Sequence, residues 1–128
     1  MDYENRGMKM KMRLSRTFKF DAAHKLIDYP GVCSRIHGHT YILVVTVEGK
    51  PDDTGMIIDF FDMKKTVEKM IIARLDHNYL NEFYDQPTLE NVAADIFFKL
   101  EEEFRNTNAQ LFSVKLCEGD KSCVEVFS

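Results

Sequence analysis

His39-Thr40-Tyr41-Ile42-Leu43-Val44-Val45-Thr46-Val47-Glu48 decides the fold class of this chain. The run is almost wholly β-branched, aliphatic or aromatic and contains neither Gly nor Pro, which predicts a strand. Tyr41, Leu43, Val45 and Val47 share one face, and Ile42, Val44 and Thr46 share the other. Apolar residues on both faces predict a strand covered on both sides. Upstream, the chain alternates from Arg13, with Leu14, Phe18, Phe20 and Ala22 on one face, so a first strand delivers His24 at its end. Asp28-Tyr29-Pro30-Gly31 is a turn cluster that puts Cys33 on a loop.

Downstream of Gly49–Gly55, Asp59 can cap a helix whose apolar positions Phe60, Met63, Val67, Met70, Ile71 and Leu75 follow a three-and-four rhythm, ending near Asp76-His77. A second helix opens at Thr88, just after Pro87, with the stripe Leu89, Val92, Ala93, Ile96, Phe97, Leu100 and Phe104. Two last strands, near Gln110 to Glu118 and Ser122 to Phe127, are joined by Gly119-Asp120-Lys121 as a hairpin. The order ββααββ predicts an α+β fold, a four-stranded antiparallel sheet with two helices on one face.

With 128 residues and 45% hydrophobic content, the chain has the mass for one core. Residues 13–128 are expected to form a single domain. Residues 1–12, in which Met8, Met10 and Met12 alternate with lysines, are expected to be a disordered lead-in. Seventeen basic against twenty-one acidic residues give a net charge of −4, which argues against a nucleic-acid surface. No stretch has the length of a membrane span, and Met1–Arg6 lacks the apolar core of a signal peptide, so the expected compartment is the cytoplasm. Cys33, Cys117 and Cys123 form an odd, sparse set, which reads as reduced thiols rather than a disulfide framework.

The chemistry-bearing residues cluster. Three of the four histidines fall between positions 24 and 39, and His37 and His39 flank Gly38. Residues two apart on a strand share a face, so these two rings can aim at one point, while Gly38 is expected to leave space behind them. An isolated His-x-His is ordinary core or surface material, but three imidazoles without a fourth protein ligand have the composition of a catalytic zinc site with one open position. Cys33 supplies a candidate base or nucleophile beside it.

Taken in order, Phe20-Asp-Ala-Ala-His24, Cys33-Ser-Arg-Ile-His37-Gly-His39, Thr54-Gly-Met-Ile-Ile-Asp59-Phe60, Leu75-Asp76-His77-Asn-Tyr-Leu-Asn81, Pro87-Thr88-Leu-Glu90-Asn91 and Glu118 resemble the 6-pyruvoyltetrahydropterin synthase family over roughly residues 14 to 127. The three-residue gap between Cys33 and His37 is similar to the 6-carboxy-5,6,7,8-tetrahydropterin synthase branch. The resemblance implies a tunnelling fold (T-fold), in which trimers join their sheets into a barrel and two trimers stack as a homohexamer. It also implies the substrate 7,8-dihydroneopterin triphosphate, converted to 6-carboxytetrahydropterin, acetaldehyde and triphosphate on the way to 7-deazapurines such as queuosine.

The same resemblance implies Zn²⁺ on His24, His37 and His39, with Cys33 taking a proton. Asp76 and His77 would be an acid-base relay for a site on another subunit, although read alone they are a helix-end charge and a histidine favoured by the macrodipole. Glu118 would anchor the pterin by accepting two hydrogen bonds, with Thr88 and Glu90 nearby; Thr88 is equally explained as an N-cap. Lys25 and Arg35 are the basic residues nearest the motif and the candidates for the triphosphate. Leu89 stands where pyruvoyl enzymes often carry a second threonine, and Cys117 and Cys123 have no implied role. Two other functions stay open: the triphosphate-eliminating 6-pyruvoyltetrahydropterin synthase, and a non-catalytic zinc-dependent pterin-binding protein.

Overall fold

The computed structural model describes Arg6 and residues 9–128. Residues 1–5, 7 and 8 of the expected lead-in lie outside the described residues. β1 (Met12–His24) and β2 (His37–Gly49) pair antiparallel along their whole length, from Met12 opposite Gly49 to His24 opposite His37. Met12 therefore belongs to the sheet, one residue before the boundary expected at 13. A 3₁₀ turn, Val32–Ser34, carries Cys33 in the loop between the two strands.

The next element departs from the expected continuous helix. Asp59 caps it as predicted, its carboxylate accepting from the N–H of Phe61 at 2.7 Å. α1 (Phe60–Val67) then passes through a π-helical stretch (Glu68–Ile72) into a last helical turn, α2 (Ala73–Leu75). Met63, Val67, Ile71 and Leu75 are buried as the rhythm required, but Phe60, the first residue of the helix, is exposed.

β3 (Asn78–Tyr79) follows, then a 3₁₀ turn (Leu80–Glu82), α3 (Leu89–Phe104), β4 (Gln110–Glu118) and β5 (Ser122–Phe127). The sheet thus has five strands in the order β3-β1-β2-β4-β5, not four, and β3 runs parallel to β1, with Ala22 opposite Asn78. The hairpin and α3 stand where the sequence put them. Every residue of the α3 stripe is buried, and together with α1 it covers the face bearing Phe18, Phe20, Tyr41, Leu43, Val45, Val114 and Leu116.

The helices cover only that face. Ile42, Val44 and Thr46 are half-buried, and Lys19, Asp21 and Thr40 are exposed, so within one chain β2 is not covered on both sides. Its apolar second face is the half of the expectation that a single chain does not meet.

A second correction concerns the cysteines. Cys117 and Cys123 are joined by a disulfide, with Cα atoms 4.0 Å apart, and Cys33 is the free thiol. The hairpin register puts them directly opposite each other on β4 and β5, a cross-strand pairing that an odd cysteine count conceals.

Candidate functional site

The β1–β2 register assembles the histidines. His24 ends β1 opposite His37, and His39 lies opposite Ala22, so all three rings emerge on the covered face at the end where the helices leave it open. Their ligand nitrogens lie within 4.8 Å of one another, and the ring centroids are 4.6, 4.9 and 5.1 Å apart. Gly38 does not arise from crowding: a Cβ there would meet only the Ala22 carbonyl, at 3.7 Å. The space expected at Gly38 is present, although nothing within one chain crowds the position enough to require a glycine.

The protonation of this cluster follows from its partners. His24 is 2% exposed, and its Nδ1 lies 2.8 Å from the carbonyl of Pro87. The Nδ1 of His37 lies 2.7 Å from the carbonyl of Arg35. A carbonyl only accepts, so each Nδ1 carries a proton, and in a neutral ring the Nε2 then presents a lone pair. Those two Nε2 atoms are 3.1 Å apart, which for two neutral rings is lone pair against lone pair. A shared cation resolves that repulsion. Two nitrogens bound at about 2.0–2.1 Å to a tetrahedral zinc stand roughly 3.3 Å apart, so the donor set fits the ion. Burial first, and then the His24 and His37 rings, hold His39 below the usual imidazole range, against the opposing pull of Glu118. That favours the neutral, ligating form.

Glu118 closes the cluster from β4. It stands opposite Tyr41 in the sheet, and its carboxylate oxygens are 3.9 Å from His24 Nε2 and 3.8 Å from His39 Nε2. Below it, Tyr41 stacks on Phe20 with ring centroids 5.0 Å apart; burial and the Glu118 charge push its phenol well above the ordinary range. Its hydroxyl lies 3.5 Å from His24 Nδ1. A cavity of about 590 Å³ opens beside Glu118, lined by His24, Tyr29, Thr88, Glu90, Lys121 and Cys123 among others.

The remaining expected residues divide. Thr88 and Glu90 line the cavity, but the Thr88 hydroxyl is spent on the cap of α3, accepting from the N–H of Asn91 at 3.1 Å. Cys33 is half-buried and stands outside the histidine cluster; its carbonyl accepts from the N–H of Leu26 at 2.8 Å. Lys25 and Arg35 do not line the Glu118 cavity; the basic residue that does is Lys121. Arg35 contributes through its carbonyl, and Lys25 is pinned by Asn81, which bonds both its N–H and its carbonyl at 3.0 Å. Gln86 likewise grips both backbone groups of Ile27. Together Asn81 and Gln86 fix the loop that carries Cys33. Asn81 ends the Leu75–Asn81 motif, whereas nothing in the sequence marks Gln86.

Asp76 and His77 form a second cluster on the opposite, open face. His77 is left-handed, with φ 60°, a conformation that costs a non-glycine residue roughly 1–2 kcal/mol. Asp21 holds it there: its carbonyl accepts from the N–H of His77 at 2.6 Å, and its N–H donates to the Asp76 carboxylate at 2.9 Å. Asp76 in turn sits 3.0 Å from His77 Nδ1. The Asp21 N–H first, and His77 after it, hold the Asp76 carboxyl below its usual range. Thr40 donates to the Asp21 carboxylate at 2.6 Å. His77 itself is exposed and borders a cavity of about 630 Å³ with Asp21 and Thr40. Asp21 belongs to the Phe20–His24 motif, but nothing in the sequence marked it or Thr40 as a support of this pair.

Set against known proteins, residues 13–128 match the family model described as 6-pyruvoyl tetrahydropterin synthase. The chain is 36% identical to a 6-carboxy-5,6,7,8-tetrahydropterin synthase of Synechocystis sp., covering 88% of this chain and 91% of that one. It is 35% identical to a dihydroneopterin monophosphate aldolase of Pyrococcus furiosus, covering 91% and 98%. Among solved structures, the 6-pyruvoyl tetrahydropterin synthase of Caenorhabditis elegans superposes with a TM-score of 0.82 at 28% identity, over 93% of this chain and 96% of that one.

Proposed function

The chain belongs to the 6-pyruvoyl tetrahydropterin synthase family, whose members are lyases acting on pterins, and from that premise we propose that it is a zinc-dependent 6-carboxy-5,6,7,8-tetrahydropterin synthase. It converts 7,8-dihydroneopterin triphosphate to 6-carboxytetrahydropterin, acetaldehyde and triphosphate, a step toward 7-deazapurines such as queuosine. The observation that carries this reading is the facing pair of Nε2 lone pairs on His24 and His37, with His39 beside them and Glu118 at the rim. No membrane-length apolar helix occurs among the described residues.

His24, His37 and His39 would hold the metal, which when bound supplies Lewis-acid polarisation of the substrate's side-chain oxygens. Glu118 accepts from the amino group and ring N–H of the pterin, fixing its orientation. Thr88 and Glu90 shape the wall beside it, and Lys121 is the cation available to the phosphates from that wall. Cys33 removes a proton from the substrate side chain, a role its half-buried place on an anchored loop supports. Asp76 orients the imidazole of His77 for proton exchange. That pair occupies the face of β1 opposite the triad, which supports its serving the triad of a neighbouring chain in a homohexamer.

The Pyrococcus relative is almost as similar as the Synechocystis one, so overall identity does not choose the reaction. The short Cys33-to-His37 spacing does favour the carboxy branch over the pyruvoyl enzymes. Product analysis tests it. Incubation with dihydroneopterin triphosphate should yield acetaldehyde and 6-carboxytetrahydropterin by mass spectrometry. Accumulation of 6-pyruvoyltetrahydropterin without acetaldehyde would assign the chain to the pyruvoyl reaction instead.

A further inference from the structure

The hairpin of β4 and β5 carries Glu118 at its end, and the rung next to Glu118 is the disulfide. Glu118 pairs with Ser122, and Cys117 pairs with Cys123. Beyond these two rungs lies only the turn through Gly119, left-handed at φ 65°, whose N–H donates to the Thr40 carbonyl at 2.9 Å. β5 is an edge strand, joined to the sheet through β4 alone among the described residues. The S–S bond is therefore the covalent tie that holds the edge strand beside the carboxylate. Cys123, Ser122 and Lys121 line the same cavity as Glu118.

The two sulfur-bearing residues are unequal. Cys117 is 6% exposed, covered within the sheet, while Cys123 is exposed on the edge strand. An attacking thiolate needs access along the S–S axis to the sulfur it strikes, so within one chain exposure selects Cys123. The closed loop is short, with a sequence separation of 6, so the chain-entropy gain from the cross-link is at the small end of its range. Opening it frees the end of the hairpin and leaves the core, which lies on the other face, intact.

We propose that the Cys117–Cys123 bond is a reversible thiol-exchange site, attacked at Cys123 by dithiol reductants, and that its state sets how firmly Glu118 is held for a pterin. The thiolate of the dithiol bonds to Cys123 Sγ and displaces Cys117 Sγ, which leaves as a thiolate and takes up a proton. The second thiol of the reductant then attacks its own sulfur in the mixed disulfide, releasing Cys123. Overall the protein disulfide gains two electrons and two protons, and the dithiol becomes a cyclic or intramolecular disulfide. The coupling to pterin rests on the reading of Glu118 as the pterin anchor.

Three measurements test it on the purified protein. Thiol titration after denaturation should give one free thiol per chain without reductant, from Cys33, and three after reduction. Peptide mass spectrometry after brief exposure to glutathione should find the adduct on Cys123. Neopterin should bind about fivefold more weakly after reduction with a phosphine, the order expected when one side chain must be re-ordered on binding. Cys123→Ser should bind like the reduced form and ignore the phosphine. Three free thiols in air-purified protein, an adduct confined to Cys117, or equal neopterin affinity in both states would overturn the proposal. Glu118→Gln separates the two readings. If it weakens neopterin binding while reduction does not, the coupling alone fails; if it leaves binding unchanged, the anchor reading fails and takes the coupling with it.

Discussion

At its last rungs β1 carries His24 on the covered face, and on the open face Asp21 holds the Asp76–His77 pair; the two sites are held by different means. The histidine triad is anchored from within. The Nδ1 protons of His24 and His37 go to carbonyls of the same chain, a stacked Tyr41 and Phe20 lie beside the rings, and His24 is almost wholly buried. The Asp76–His77 pair is anchored by Asp21 alone, at the His77 N–H and the Asp76 carboxylate, and its imidazole projects into solvent. Preorganised donors suit a bound ion, which tolerates little displacement. An exposed imidazole fixed at its root suits a partner that arrives from outside. The left-handed backbone of His77 reinforces this, because strain of that kind persists only where neighbours enforce it.

The contrast breaks most sharply at the triad. His37→Ala should lose at least about a hundredfold in zinc affinity, with activity falling accordingly, as read by metal analysis of the purified variant. Full zinc occupancy in that variant would remove the triad from metal binding. Cys33→Ala should keep zinc and pterin affinity while turnover falls by about 10²–10⁴-fold, so single-turnover kinetics should separate it from His37→Ala. Glu118→Gln should weaken pterin binding by roughly ten- to a hundredfold, since charge-assisted hydrogen bonds contribute about 1.5–3 kcal/mol; isothermal titration with neopterin checks this.

The smallest effect belongs to the exposed pair and runs with pH. Asp76 titrates lower in the folded chain than its ordinary value of 3.8. It therefore adds stability at pH values above that range, and the contribution disappears as pH falls through the lowered folded value. The stability difference between wild type and Asp76→Asn, read from urea melts, should be full at neutral pH and fade as pH falls below the ordinary carboxylate range. A difference that grew on acidification would contradict the hydrogen bonding described for this carboxylate.

The strands and α3 were legible because their patterns are local. The alternation of Phe18, Phe20 and Ala22, and the seven-residue stripe of α3, each encode a buried face directly. The triad was legible for the same reason: His37 and His39 share a strand face, and the hairpin register brings His24 to them. What escaped is non-local. β3 is two residues long and exists because Asp21 catches the chain as α2 ends, which no pattern around Asn78 announces. The π-helical stretch is hidden because Met63, Val67, Ile71 and Leu75 fit either helix. The disulfide was implied by the hairpin, since strands that pair Glu118 with Ser122 must pair Cys117 with Cys123. Counting cysteines instead of registering them obscured it.

The division of labour between the two faces is tested most directly by mixing two inactive variants, His37→Ala and His77→Ala, through reversible dissociation and reassembly. If the triad of one chain works with the Asp76–His77 pair of another, an equal mixture should regain about a quarter of wild-type activity, the fraction of interfaces that draw both intact halves. A mixture as inactive as its components would place both halves in one chain and contradict the composite site.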